Sequence, residues 1–269
     1  EGYGVSNSAI EKIANGGARL IITVDTGTTA IDEVEYAKSL GINFVVTDHH
    51  ECRSEIPDAT AVINPHRNDC SYSFKELAGV GVVFKLVCAY EERIFKKSRY
   101  KAAEKIFSEY ADFVAIGTIA DVMPIKEENR LIVSLGLSKL GKGEGRPGLI
   151  SLLEASSKKT QDSSANRKVT SGMIGFGIAP RINAAGRISD AAMAVELMLA
   201  EDRKTVSEYT ERLCEINRQR QIEENQIATQ AYEMLEATNA YDNDKVIVLA
   251  HDEWQQGIIG IVSSRITEK

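Results

Sequence analysis

The arrangement that most restricts this chain is a pair of short apolar runs, each closed by acidic or imidazole residues, with a helical stretch between them. Leu20-Ile21-Ile22-Thr23-Val24 ends in Asp25, and Asn43-Phe44-Val45-Val46 ends in Thr47-Asp48-His49-His50. Runs this short and this rich in β-branched and aromatic residues read as strands with a buried face. Thr26-Gly27-Thr28-Thr29 supplies a loop and the span from about Thr29 to Leu40 a helix, which makes a βαβ unit. Its right-handed crossover brings both strand ends to one edge of a parallel sheet, where open α/β sheets gather ligands. Asp25 and His49 are therefore expected to face one another.

An Asp-His-His triplet by itself fits a solvated turn ahead of a capped helix equally well. A second acidic position bears on the choice. Residues from about Lys101 to Ile119 carry apolar side chains at helical spacing, and the segment ends in Ala120-Asp121-Val122-Met123-Pro124. The proline forces the helix to stop near Asp121, because the residue before a proline is driven out of the helical region. Together, Asp25, Asp48, His49, His50 and Asp121 form a carboxylate and imidazole set. Hard oxygen ligands suit Mn²⁺ and Mg²⁺, imidazole favours Mn²⁺, and no cysteine pair offers the thiolates of a closed zinc site. Two such ions would activate a water and stabilise an in-line displacement at phosphorus. That chemistry is a phosphodiesterase's.

The residues resemble the DHH phosphodiesterases and, within them, the RecJ single-strand-specific exonucleases. The motifs that carry the resemblance run along nearly the whole chain. They include Val24-Asp25-Thr26-Gly27, Thr47-Asp48-His49-His50-Glu51, Val62-Ile63-Asn64-Pro65, Ala78-Gly79-Val80-Gly81, Gly117-Thr118-Ile119-Ala120-Asp121 and Pro180-Arg181-Ile182-Asn183-Ala184-Ala185-Gly186-Arg187. The Asp-His-His triplet is shared across the superfamily, whereas the segment from Arg181 to Arg187 is specific to the RecJ group.

The resemblance implies that Asp25 bridges two Mn²⁺ or Mg²⁺ ions and that His49 and Asp121 ligate one of them. It makes Asp48 a carboxylate that orients a histidine, and His50 a catalytic residue facing the scissile phosphate. Arg181, Asn183 and Arg187 become contacts to nucleic acid, where guanidinium forks match phosphate geometry. It further implies 5′→3′ degradation of single-stranded DNA to mononucleotides in repair and recombination. The implied protein partners are a single-strand-binding protein and a helicase, and the implied state is monomeric. The family's first motif, an Asp-x-Asp closing a strand, is expected before Glu1, so residues 1–269 read as a piece of a longer protein that alone holds metal weakly. At Trp254-Gln255 the family has histidine after the tryptophan, and Gln255 cannot titrate.

Composition frames these readings. A net charge of −7 argues against a broad nonspecific DNA-binding surface, but leaves room for a narrow basic channel. Basic residues gather at Lys139, Lys142 and Arg146, at Lys158, Lys159, Arg167 and Lys168, and at Arg181 and Arg187 in a Gly- and Ala-rich stretch read as a loop. Cys52, Cys70, Cys88 and Cys214 have no pairing motif, which favours a reducing cytoplasm. No apolar run approaches the roughly 20 residues of a membrane span.

The expected fold is α/β: a parallel, doubly wound DHH domain over 1–200, its part from about 126 to 200 helical. A long connecting helix over 201–240 bridges to the start of a second α/β domain, DHHA1, over 241–269. In that last segment Lys245–Ala250 reads as a strand and Gly257–Ile266 as a helix. Gly257, Gly260, Ser263 and Ser264 near the helix start suit either phosphate binding or close packing. Two other functions compete. One is a DHH enzyme acting on short oligonucleotides or cyclic dinucleotides, and the other is an inactive DHH scaffold that binds DNA or replication proteins.

Overall fold

The computed structural model describes residues 4–157, 168–238 and 245–268. The basic residues Lys158, Lys159 and Arg167 lie outside the described residues. Two compact units are present. One comprises residues 1–145 and 164–171, the other residues 146–163 and 172–269.

The first unit is built on a parallel sheet in the order β1 (Leu20–Val24), β2 (Asn43–Thr47), β3 (Ala61–Ile63). The β1–β2 register pairs Ile21 with Phe44 and Thr23 with Val46, and β2–β3 pairs Val46 with Val62. Alternation in a strand then sends Phe44, Val46 and Val62 to one face, where they pack on Ile10 of helix α1 (Asn7–Asn15) and on Val34 and Ala37 of α2 (Ile31–Ser39). Ile63 points the other way, into Phe74, Leu77 and Val82. Both faces are thus covered at β2 and β3, as is usual for a parallel sheet. β1 is buried on one face only, for Leu20, Ile22 and Val24 are each about half exposed.

Three helices complete this unit: α3 (Gly79–Ile94), α4 (Arg99–Ala120) and α5 (Glu127–Gly141). Phe84, Ile106, Val114 and Ile132 form their shared core, and Phe84 meets Phe107 edge-on at 4.6 Å. Small residues set how closely the helices cross. A Cβ on Gly136 would lie 2.3 Å from the Ala111 carbonyl oxygen, and one on Gly117 would lie 2.7 Å from Val80 Cγ1. The sequence did not suggest α1 or α3.

The second unit is helical among its described residues. It holds α6 (Pro147–Ser156), α7 (Ser171–Met173), a π-helical turn (Ile174–Ile178), α8 (Ala179–Ile188), α9 (Ala192–Leu199), α10 (Arg203–Thr238) and α11 (Gln256–Thr267). The long charged helix α10 packs within this unit, against α6, α8, α9 and α11, rather than standing as a bare connector. Ile227, Ala228, Ala231 and Leu235 form its apolar stripe and meet Ile258, Val262 and Ile266 of α11. Packing therefore divides the helical part after Gly145, with α5 in the first unit and α6 onward in the second.

Two local expectations are corrected. The stretch carrying Arg181 and Arg187 is helix α8, not a loop, because Ala184 and Ala185 provide a fully buried face for it. Residues 245–250 form no strand. Their composition suits one, but a strand exists only by pairing its backbone, and no described segment of this unit offers a partner.

Candidate metal centre

The site grows from the C-terminal edge of the sheet. Asp25 follows β1 with φ +63°, a left-handed conformation rare for a residue bearing a Cβ, and its N–H donates to the Thr47 carbonyl at 2.9 Å. Gly27 continues the turn at φ +112°, where a Cβ would lie 2.7 Å from Thr23 Oγ1. Strain of this kind, on the order of 1–3 kcal/mol per residue, persists where the surrounding structure enforces it, and often marks functional sites.

Asp48, after β2, is 2% exposed and saturated with donors. Its Oδ2 accepts the Thr28 N–H at 2.9 Å, and its Oδ1 accepts the N–H groups of His49 (2.8 Å) and His50 (3.3 Å) and lies 2.7 Å from His50 Nδ1. Burial alone would raise the Asp48 pKa, but the contacts from His50, Thr28 and His49 outweigh it and hold the carboxyl down at about 2. A carboxylate only accepts, so His50 Nδ1 carries the proton of that bond and its Nε2 is left for other work. The His50 side chain is 62% exposed and stands beside His49, ring centroids 4.6 Å apart.

His49 is the centre of the cluster. Its Nε2 lies 3.0 Å from Asp25 Oδ1 and 3.3 Å from Asp121 Oδ2. This buried nitrogen is within hydrogen-bonding distance of both carboxylates, yet aligned for a hydrogen bond with neither. The neighbouring Asp25 carboxylate raises the His49 pKa, burial opposes it, and the charges of Asp121 and Asp48 add to the rise. Burial raises the Asp121 pKa, and the Asp25 charge pushes it the same way against the pull of His49 and His50. Carboxylates crowded around an imidazole, with unfavourable charge between them, are relieved by a cation. A buried nitrogen pointed between two carboxylates fits a metal ligand, and the donor set of oxygens plus imidazole fits Mn²⁺ or Mg²⁺. Asp25, His49 and His50 place ligand atoms all within 4.8 Å of one another, with Asp121 against His49.

Helix packing brings Asp121 to this edge. Asp121 caps α4, donating its N–H to Gly117 at 3.0 Å, and Val122 beyond it sits at φ +57°. The start of α3 closes against Asp25, for a Cβ on Gly79 would lie 2.3 Å from Asp25 Oδ1. Asn64 is a participant to which the sequence assigned no role. Its Nδ2 donates to Thr28 Oγ1 and to the His50 carbonyl, each at 2.9 Å, tying the loop after β1 to the triplet. Its hints in the sequence are its place in the motif Val62-Ile63-Asn64-Pro65 and its position, for it closes β3 as Asp25 closes β1.

The expected nucleic-acid contacts lie in the second unit. Arg181 is half-buried and engaged, donating from Nη1 to the Gly177 carbonyl at 2.5 Å and from Nε to Cys214 Sγ at 3.4 Å. Asn183 and Arg187 are exposed one turn apart on α8, with Arg187 Nη1 donating to the Gly257 carbonyl at 3.0 Å. Lys139, expected among free basic residues, instead pairs with the buried Asp112 at 3.2 Å. Gly257 serves packing, since a Cβ there would lie 2.3 Å from the Arg187 carbonyl oxygen. Trp254, beside Gln255, donates from Nε1 to Gln230 at 2.8 Å. A cavity of about 780 Å³ between β3, α3 and α4 does not include Asp25, His49, His50 or Asp121.

Residues 4–118 match the family described as DHH family, N-terminal domain. Those residues form a DHH-family domain. The likeness continues through the rest of the chain, which is RecJ-like along all of its residues. It is 39% identical over 269 residues to the single-stranded-DNA-specific exonuclease RecJ of Bacillus subtilis (strain 168), covering 100% of this chain and 32% of that protein. Among solved structures, an exonuclease RecJ bound to manganese is 33% identical, with TM-score 0.82, over 100% of this chain and 63% of that one. RecJ from Thermus thermophilus in complex with Mn²⁺ is 31% identical, with TM-score 0.79, over 98% of this chain and 36% of its own. The chain thus spans about a third to a half of the curated RecJ proteins it matches.

Proposed function

We propose that this chain is the metal-binding core of a RecJ-type exonuclease that hydrolyses single-stranded DNA in the 5′→3′ direction to mononucleotides, in repair and recombination. One observation carries the chemistry: the buried His49 Nε2 between Asp25 and Asp121, aligned for a hydrogen bond with neither. Manganese in the related RecJ structures and single-stranded DNA as their relatives' substrate support the metal and the substrate class. Asp25, His49 and Asp121 would hold Mn²⁺ or Mg²⁺. When bound, a pair of such ions supplies Lewis acidity at the phosphate oxygens and makes the attacking water acidic enough to ionise near neutral pH.

The chain's own residues do the rest. Asp48 fixes the His50 ring with its proton on Nδ1, so that Nε2 is presented at the sheet edge, where it can meet a phosphate oxygen. Arg187 and Asn183 offer a guanidinium and an amide one turn apart for a strand's backbone, and Arg181 shapes the helix that carries them. In this reading the second unit leads into a DHHA1 domain beginning near residue 241. The resemblance also supplies a single-strand-binding protein and a helicase as partners, and a monomeric state. Four unbridged cysteines agree with a cytoplasmic setting. Among the described residues no helix is long and apolar enough to cross a membrane.

The full-length protein incubated with Mn²⁺ and 5′-labelled single-stranded DNA is expected to release labelled mononucleotide, and His49→Ala to abolish the release. Cleavage of duplex alone, or undiminished release by His49→Ala, would sink the reading.

A further inference from the structure

Asn129 stands apart from the cluster in sequence, yet it is fully buried and both of its N–H donors reach backbone that carries the site. It lies in the first turn of α5. Its Nδ2 donates to the Glu76 carbonyl at 2.6 Å and to the Pro124 carbonyl at 3.1 Å. Glu76 precedes Gly79 by three residues, and Gly79 is the backbone that presses on the Asp25 carboxylate. Pro124 follows Asp121 by three residues. One side-chain amide therefore joins the segment that leads into Gly79, packed against Asp25, to the segment that follows Asp121.

The segment it holds at the second end needs holding. Val122 and Glu127 both adopt positive φ, at +57° and +45°, so the turn between α4 and α5 is strained for side chains of their kind. Other links run between the same two stretches: Tyr72 Oη donates to Glu128 at 2.5 Å, Lys85 also reaches Glu128, and Lys126 pairs with Glu76 at 3.3 Å. Those involve exposed or half-exposed side chains. Asn129 alone among these links is fully buried, where a hydrogen bond is not contested by water. Both contacts need a donor, which fixes the amide's orientation, and Asn129 Oδ1 has no partner among the described residues. The side chain is used only to donate, to two carbonyls at once.

We propose that Asn129 is a positioning residue for the metal centre: by bridging the Glu76 and Pro124 carbonyls it sets the separation of Asp25 and Asp121 around His49. The inference rests on the metal-centre reading given under Proposed function. It assigns to the first turn of α5 the work that outer-shell groups do elsewhere, acting here on backbone that packs beside Asp25 and follows Asp121 rather than on the ligands' side chains.

The test is binding of Mn²⁺ alone to the metal-stripped full-length protein, followed by electron paramagnetic resonance and compared with melting of the metal-free state. Asn129→Asp keeps the shape but turns a carboxylate towards two carbonyl oxygens. It is expected to weaken Mn²⁺ binding by about 10-fold to 100-fold, the range usual for loss of an outer-shell partner. Ile132→Ala, one turn along α5 in the helical core, controls for loss of stability as such and is expected to leave the affinity within about two-fold of wild type. In turnover, Asn129→Asp should lower kcat at limiting Mn²⁺ with KM for single-stranded DNA unchanged, and excess Mn²⁺ should restore kcat. If Asn129→Asp fails to fold, Asn129→Ser, whose hydroxyl cannot reach both carbonyls, is measured in its place. Wild-type affinity in the folded variant, or an equal loss in Ile132→Ala, overturns the inference while leaving the metal centre intact. A wild-type protein that takes up no Mn²⁺ overturns both.

Discussion

Asp48 shows how one residue can matter to the candidate site through the groups it holds in place. Its buried carboxylate has contacts to three backbone N–H groups and one imidazole, and its pKa falls from the ordinary 3.8 to about 2. Because the folded-state value lies below the unfolded one, the group contributes stability above about pH 4, and that contribution disappears as pH falls through about 2. The shift corresponds to roughly 2 kcal/mol. Asp48→Asn keeps the volume but sets an N–H₂ against groups that donate, and should cost about 1–3 kcal/mol at pH 7. Urea unfolding at pH 7 and pH 3 checks both parts. The variant should be less stable at pH 7, and the wild type should lose more stability than the variant on going to pH 3. Equal slopes would show that Asp48 is not the titrating group. Asp48, Asp25, His49, His50 and Asp121 were legible in sequence, because each ends an element at the same edge of a predictable sheet. Asn64 and Asn129 were not, since a buried amide declares itself only through the backbone it bonds.

At the scale of elements, the close crossing of α4 and α5 rests on one missing methyl. A Cβ at Gly136 of α5 would stand 2.3 Å from the Ala111 carbonyl oxygen and 2.3 Å from the Ala115 Cβ of α4, so Gly136→Ala must push two helices apart. Overpacking of this kind costs about 1–3 kcal/mol, even though alanine is the better helix former by about 1 kcal/mol. The melting temperature should therefore fall, and a rise would mean that the crossing yields readily to one more methyl. The same balance explains what the sequence concealed. The start of α3, Gly79-Val80-Gly81-Val82-Val83, combines the residues least favourable to a helix. It is helical because packing overrides propensity: Gly79 admits Asp25, and Val82 seats against Phe74 and Leu77. α8 was hidden likewise by Pro180, Asn183 and Gly186. The segment 245–250 erred in the other direction, its β-rich composition promising a strand that finds no partner among the described residues. β2 and α2 were readable because their hydrophobic periods agree with the packing that they meet, and β1 because its short β-branched run pairs with β2, although Leu20, Ile22 and Val24 stay half exposed.

At the scale of the whole molecule, the division into two units separates the metal cluster from the helix that bears Arg181, Asn183 and Arg187. Asp25, Asp48, His49, His50 and Asp121 all belong to the first unit, and a ligand stabilises the folded state to which it binds. At a Mn²⁺ concentration about 100-fold above its dissociation constant, that stabilisation is about 2.7 kcal/mol. It should fall unequally, because chains of more than one compact unit need not unfold in a single step. Hydrogen exchange of the metal-stripped protein, with and without Mn²⁺, reads the two units separately. The slow amides of β1, β2 and the end of α4 should gain protection, since an element that supplies a ligand cannot open without giving up its hold on the metal. The buried stripe of α10 and α11, built from Ala231, Leu235, Ile258 and Val262, should exchange at nearly the same rate in both conditions. Protection that rises equally in both units would mean that they unfold as one cooperative body. Protection confined to the second unit would place the metal away from His49.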